Sequence, residues 1–222
     1  WLDEASEGFV AALAAAVRDT RCLLVVNSRP GHDRPWMQPP RANRIALAEL
    51  GEAETGALIA SLVGPDPALA GLRARIAARS GGNPFFAEEL VRALRGQGII
   101  AGESGAFRRG EAEGQGVLPP NLQAVIGARI DSLAGTPRRV LQTAAVIGQT
   151  FRLPVLQAVA QLDRAALDVA LAGLCEDGLL QRAPGMAEPG FQFRHPLIRE
   201  VAYGMQLQAR RAPLHAAVAR AM

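Results

Sequence analysis

The chemistry open to this chain is bounded by its side-chain inventory. All 24 basic residues of the 222 are Arg. Without lysine there is no amine nucleophile and no phosphate-loop lysine within these residues. The histidines (His32, His195, His215) and the two cysteines (Cys22, Cys175) lack zinc-ligand spacing. Each cysteine sits in an apolar segment, which predicts two buried, reduced thiols and no disulfide. Three positions have the right types and settings to hold an anion. Arg29 follows the apolar run Cys22–Val26. A guanidinium at the C-terminal end of a central parallel strand lies where doubly wound sheets bind ligands, and its fork suits phosphate oxygens. Gly82, Asn83 and Pro84 stand just before a helix. Glycine there lets the backbone approach a ligand closely, and Pro is tolerated in a first helical turn. His195 closes a strand-like stretch and opens a helix, so an imidazole meets a positive helix end. Each has a purely structural alternative: an Arg paired with a nearby acid, a helix–helix turn, a hydrogen-bonded core histidine. Asp3 and Glu4 read as solvated acids at a helix start, and His32 and His215 as structural or solvated.

The elements that must position these residues follow from patterning. Ser6 is placed to cap a helix carrying Phe9, Val10, Leu13, Ala14 and Val17. Cys22–Val26 has the length and continuous apolarity of a strand buried on both faces, and Arg44–Leu50 reads as a second short strand. Amphipathic helices are predicted over 51–63, 68–80 and 85–94. Residues 101–117 are rich in Gly, Glu, Ser and Arg and read as an exposed linker or hairpin tip. Helices follow over 122–133, 138–147, 154–160 and 164–176. Two alternating stretches, 179–182 and 191–194, then read as a hairpin, and helices return at 196–205 and 210–222. Helices followed by a hairpin wing is the order of a winged helix. The predicted fold class is therefore mainly α with a small parallel-sheet remnant.

Charge and hydropathy narrow the partners. No apolar run approaches the roughly 18 to 20 residues of a membrane span. The net charge is only +3, a weak field for nucleic acid. The pairs Arg108-Arg109, Arg138-Arg139 and Arg210-Arg211 carry no interleaved aromatics and read as solvated helix ends. The helix in the recognition position, 164–176, has Arg164 as its one base against Asp163, Asp168, Glu176 and Asp177 in and beside it. That balance repels phosphate, so nucleic acid is an improbable partner.

Five segments together resemble the signal-transduction ATPases with numerous domains, in particular the AAA-type module beside bacterial adenylate and guanylate cyclase domains and in large LuxR-type transcription regulators. Trp1-Leu-Asp-Glu-Ala-Ser6 resembles the tail of that family's acidic strand motif. The strand ending in Asn27-Ser-Arg-Pro30 resembles the next core strand with its sensor arginine. Ser80-Gly-Gly-Asn-Pro-Phe-Phe-Ala-Glu-Glu-Leu90 is similar to the family's SGGNPFFxEEL segment. Leu118-Pro-Pro through Asp131, and Phe193-Arg-His-Pro-Leu-Ile-Arg-Glu-Val-Ala-Tyr203, resemble the entry and the signature of its winged helix.

The resemblance implies a domain map. Residues 1–50 would be the C-terminal remnant of a truncated P-loop α/β domain, 51–100 a helical lid and 101–117 a linker. Residues 118–204 would be a winged-helix-like domain, and 205–222 the start of a further helical segment. It implies ATP or ADP as ligand, touched by Arg29, Gly82, Asn83, Pro84 and His195, with other domains of the same polypeptide (a cyclase or DNA-binding output) as partners in the cytoplasm. No GxxxxGK[ST] occurs in the sequence and the family's acidic pair would lie just before Trp1, so Mg2+ would need those preceding residues, and no ATP hydrolysis is expected from this chain alone. The alternatives left open are a winged-helix DNA-binding module and a protein-interaction scaffold with a decayed nucleotide site.

Overall fold

A computed structural model describes residues 3–18, 20–28, 31–38, 42–112, 114, 116, 118–185 and 189–222. The chain divides into two compact units, Trp1–Ala48 and Glu49–Met222.

In the first unit the apolar positions of the opening segment build helix α1 (Glu4–Ala16). Its cap is Asp3, not Ser6. The Asp3 carboxylate accepts from the Ser6 amide at 2.7 Å, and that N–H holds its pKa below the usual carboxylate value. Asp3 is thus an exposed acid at a positive helix end. Glu7 pairs with Arg34 and Asp33 with Arg44. No described residue of this unit joins the buried core. The two predicted strands are not formed. Residues 22–28 and 42–48, with Glu49 and Leu50 beyond them, run without ladder partners among the described residues, and the parallel-sheet remnant with them. The reason is physical: an apolar run becomes a strand only when neighbours satisfy its backbone and cover both faces. Here Leu23, Val25, Ile45 and Leu47 are each at least 79% exposed, and Cys22, expected to be buried, is exposed too.

The second unit is helical and carries the cores, so the mainly α class is observed. Helices α2 (Glu52–Val63), α3 (Ala70–Ser80) and α4 (Pro84–Gly96) pack around Ile59, Val63, Leu69, Ile76, Leu90 and Leu94. A small hairpin closes this cluster. Strands β1 (Ile100–Ala101) and β2 (Arg108–Arg109) pair antiparallel, and the amides of Gly105 and Phe107 donate to Leu62 and Val63 carbonyls at 2.8 and 3.0 Å. Phe107 is buried, so the predicted linker contributes to a core where its composition pointed only to exposure.

Beyond it lie α5 (Leu122–Ser132), α6 (Gly135–Ile147), β3 (Thr150–Arg152), α7 (Leu153–Ala160), α8 (Arg164–Glu176), β4 (Leu180–Arg182), β5 (Gly190–Phe193) and α9 (Pro196–Gly204). The sheet order is β3-β5-β4, antiparallel throughout, with Phe151 opposite Phe191 and Leu180 opposite Phe193. These aromatic cross-strand partners face the helices and fill a core with Ile126, Ile130, Leu141, Leu156, Leu167 and Leu174. Strand β3 escaped the sequence reading because it is three residues long and buries only Phe151. Helix α10 (Gln208–Ala221) docks through Val218 on Val146, Val155 and Val159.

The two larger cores are not separate. Leu122 packs against both, Val125 of α5 joins the first and Phe85 of α4 borders the second. Helices α4 and α5 form the seam. Because residues 1–48 add nothing to either core, a chain of residues 49–222 is expected to melt within about 3 °C of the whole chain, equivalent to about 1 kcal/mol at this size. Limited trypsin digestion should cut first among Arg18–Arg44. Loss of cooperative melting in the shorter chain would refute the division.

Candidate functional site

The segment from Ser80 to Phe85 is a designed change of direction. Gly81 ends α3 in the left-handed conformation, with φ 55°. Gly82 follows at φ 78°, and a Cβ there would lie 2.5 Å from the Leu50 carbonyl oxygen. The Leu50 amide donates to the Gly82 carbonyl at 3.0 Å. Only glycine fits both the angle and the approach, and the approaching group is the protein's own backbone. Asn83 caps α4, its Oδ1 accepting from the Phe86 amide at 3.0 Å. Pro84 occupies the first helical position, where its missing N–H costs nothing.

His195 plays the corresponding part for α9. Its backbone is extended, its Nδ1 accepts from the Leu197 amide at 3.2 Å, and Pro196 follows at the first helical position. With Nδ1 accepting, the neutral ring carries its proton on Nε2. The imidazole stacks on Phe85, with ring centroids 4.0 Å apart and planes 12° from parallel. The N-terminal ends of α4 and α9 therefore meet, and two positive dipole ends converge on one place. Burial holds the His195 pKa below the usual histidine value, against the opposing pull of Glu89 and Glu200.

A cluster of charges lies one turn along α4. The Glu89 side chain is 0% exposed. Its Oε2 accepts from Arg129 of α5, and Arg129 also donates to the Asp177 carbonyl at the end of α8. Glu89 Oε1 and Arg92 Nε stand 3.5 Å apart. That is ion-pair range without a hydrogen bond, so both buried atoms lack a hydrogen-bond partner. The adjacent Glu88 is 27% exposed and receives Arg194 Nη2 at 2.8 Å and Arg92 Nη2 at 3.5 Å on the same oxygen. Burial and then the nearness of Arg194 lower the Arg92 pKa from its ordinary value.

Of the positions singled out in the sequence, the structure brings the Gly82–Pro84 turn and His195 together through Phe85. Arg29 lies outside the described residues. Arg194 forms a surface pair, and Arg199 donates to the Ala145 carbonyl at 3.0 Å. His215 meets the Tyr203 hydroxyl at 3.0 Å, a structural contact. Cys175 is half-buried and unpaired, its thiol pKa raised first by burial. Glu89 and Arg129 were missed as a pair. The available signal was an acid inside the apolar stripe Phe86, Ala87, Leu90, Val91 and Leu94. Two open clefts lie outside this junction: one of about 560 Å³ within the first unit beside Arg34 and Trp36, and one of about 310 Å³ between α8 and the hairpin, beside Cys175 and Phe191.

Comparison with known proteins adds breadth but little chemistry. Residues 51–108, from α2 to β2, match a domain of unknown function, DUF8739. An uncharacterized protein of Rhizobium meliloti (strain 1021) is 31% identical over 219 residues, covering 97% of this chain and 21% of that protein. The chain thus spans about a fifth of the length of the curated relative. No solved structure matches.

Two expectations follow. Truncating Glu89 to Leu strands the Arg129 cation in a mostly buried setting and should cost about 3–5 kcal/mol, while the double replacement Glu89→Leu with Arg129→Met should recover most of it. Urea unfolding of the four proteins measures the coupling; additive losses would show that the pair is not a unit. For His195 the sign is that of a depressed histidine. Its stabilising contribution is complete above the unfolded pKa near 6.5 and is lost as pH falls through the folded value, because protonation breaks the Nδ1 cap. The melting temperature should therefore drop on acidification below about pH 6.5, and less steeply in His195→Asn, which caps without titrating. Equal slopes for the two proteins would exclude His195 as the cause.

Proposed function

We propose that this chain is a nucleotide-responsive regulatory module of a larger signalling protein. In this reading α2–α4 act as a lid and α5–α9 as a winged-helix-like body. ADP or ATP is held at their junction, beside Pro84 and His195, and a change of nucleotide moves the two parts relative to each other. The movement is relayed to an output domain, a cyclase or a DNA-binding unit, elsewhere in the polypeptide.

The observation that carries the reading is the Phe85–His195 stack. It joins the two segments whose sequences most resemble the ATPase family, although they lie far apart in the chain. The convergence of two helix N-termini at that stack supplies the electrostatics that phosphates favour. The Glu88–Arg194 ion pair between α4 and the β5–α9 turn is of a kind that a ligand can rearrange. Helix α8, by contrast, offers little to DNA: its Arg164 is bound by Asp168 at 2.8 Å.

Calorimetry of ADP and ATP binding tests the proposal, with His195→Ala alongside, in the longest polypeptide that contains this chain. Binding that weakens about tenfold in the variant, the value of one charge-assisted hydrogen bond, is expected. A folded protein that binds neither nucleotide would leave the scaffold reading in its place.

A further inference from the structure

We propose that Arg92 and Arg194, which come together on Glu88 beside the turn at Gly178, form an anion site for phosphate oxygens in which the Glu88 carboxylate is an exchangeable stand-in. The proposal deepens the nucleotide reading and rests on it only for the identity of the natural ligand.

The first argument is charge. Three guanidiniums, Arg92, Arg129 and Arg194, share this corner with two carboxylates, Glu88 and Glu89. Glu89 is committed to Arg129 within the seam. Its other oxygen stands 3.5 Å from Arg92 Nε, so Glu88 shares Arg92 and alone answers Arg194, and it serves both with a single oxygen. Both carboxylate contacts of Arg92 are long, 3.5 Å to Glu88 and 3.5 Å to Glu89, so its guanidinium is incompletely satisfied. Arg194 immediately precedes the N-cap of the nine-residue helix α9, whose positive end adds to this surplus.

The second argument is shape. Gly178, in the turn between α8 and β4, has φ 68°, and a Cβ there would collide with Arg92 Nη1 and come within 3.4 Å of Arg194 Nη1. The turn is cut back where the two like charges must sit side by side. Holding two guanidiniums together is unfavourable unless an anion bridges them.

The third argument is exchangeability. Glu89 is sealed, whereas the Glu88 and Arg194 side chains are 27% and 38% exposed. Glu88 can swing into water without leaving a buried charge behind. A phosphate brings several oxygens and more charge, and it can take both guanidinium forks bidentately where Glu88 gives one oxygen. Entry of the phosphate would break the Glu88–Arg194 link between α4 and the β5–α9 turn while leaving Glu89–Arg129 in place.

The test is calorimetry on this chain with pyrophosphate and, separately, ADP at constant ionic strength. Wild type is compared with Glu88→Gln, Arg194→Gln and the surface control Arg138→Gln, each checked for a native melt. Expected is pyrophosphate binding that Glu88→Gln tightens several-fold, Arg194→Gln weakens about tenfold and Arg138→Gln leaves unchanged. ADP binding tighter than pyrophosphate, with the same dependence on Arg194, identifies nucleotide phosphates as the source. Pyrophosphate binding with no gain from ADP upholds the anion site for free phosphates and counts against the nucleotide reading. No pyrophosphate binding by wild type or Glu88→Gln, or binding indifferent to Arg194, overturns the anion site. ADP binding that ignores both Glu88 and Arg194 would do the same while sparing the nucleotide reading.

Discussion

A single sealed carboxylate governs how this molecule is put together. Glu89 sits on the buried face of α4 at the line where two hydrophobic cores meet. Burying it alone would cost several kcal/mol, so its environment must supply a cation. Arg92 of the same helix stands at ion-pair range, but the hydrogen bond comes from an arginine arriving from α5, and that arginine also donates to the Asp177 carbonyl at the end of α8. The pairing therefore specifies register as well as stability. Apolar contacts such as Leu122 against both cores tolerate sliding. A buried charge hydrogen-bonded across the seam does not, and it pins α4, α5 and α8 to one relative arrangement.

Around that fixed point the polar groups grade outward from permanent to negotiable. Glu89–Arg129 is closed to water. Arg92 is intermediate, desolvated and crowded by Arg194. Glu88–Arg194 is at the surface, where an ion pair contributes no more than about 1 kcal/mol. The Phe85–His195 stack is partly buried at the N-terminal ends of α4 and α9. Burial favours the neutral imidazole, which suits stacking and capping together.

Much of this was legible before any coordinates. Helix α8 falls on its predicted residues, and the helices from α2 to α10 lie within a few residues of theirs, because their apolar stripes, caps and stops agree with one another. The turn Gly81-Gly82-Asn83-Pro84 announced itself through residue types that each have one cheap use there. Contacts across sequence were not legible. Nothing local says that Phe85 meets His195 or that Glu89 meets Arg129, since each pair is assembled by the packing of other side chains. The strands failed for a related reason. Cys22–Val26 and Arg44–Leu50 have strand composition, but composition states what a segment can do when flanked, and a ladder needs a second participant.

That failure also bears on what the first 48 residues are. Leu23, Val25, Ile45 and Leu47 are among the most exposed apolar side chains of the chain, and α1 buries none of its residues. Single exposed apolar residues need no explanation, but strand-length runs of them do. The second unit shows the opposite economy: most of its large apolar side chains are in its cores, and its hairpins are short. The same polypeptide thus joins a part whose folding information is complete to one whose side chains are chosen for neighbours that its own residues do not provide. Residues 51–108, matched by a recognised domain of unknown function, lie wholly on the complete side. So do Pro84, Phe85, Glu88, Glu89, Arg92, Arg129, Arg194 and His195. The junction that carries the functional reading is therefore built wholly within the second unit, whose side chains supply its cores.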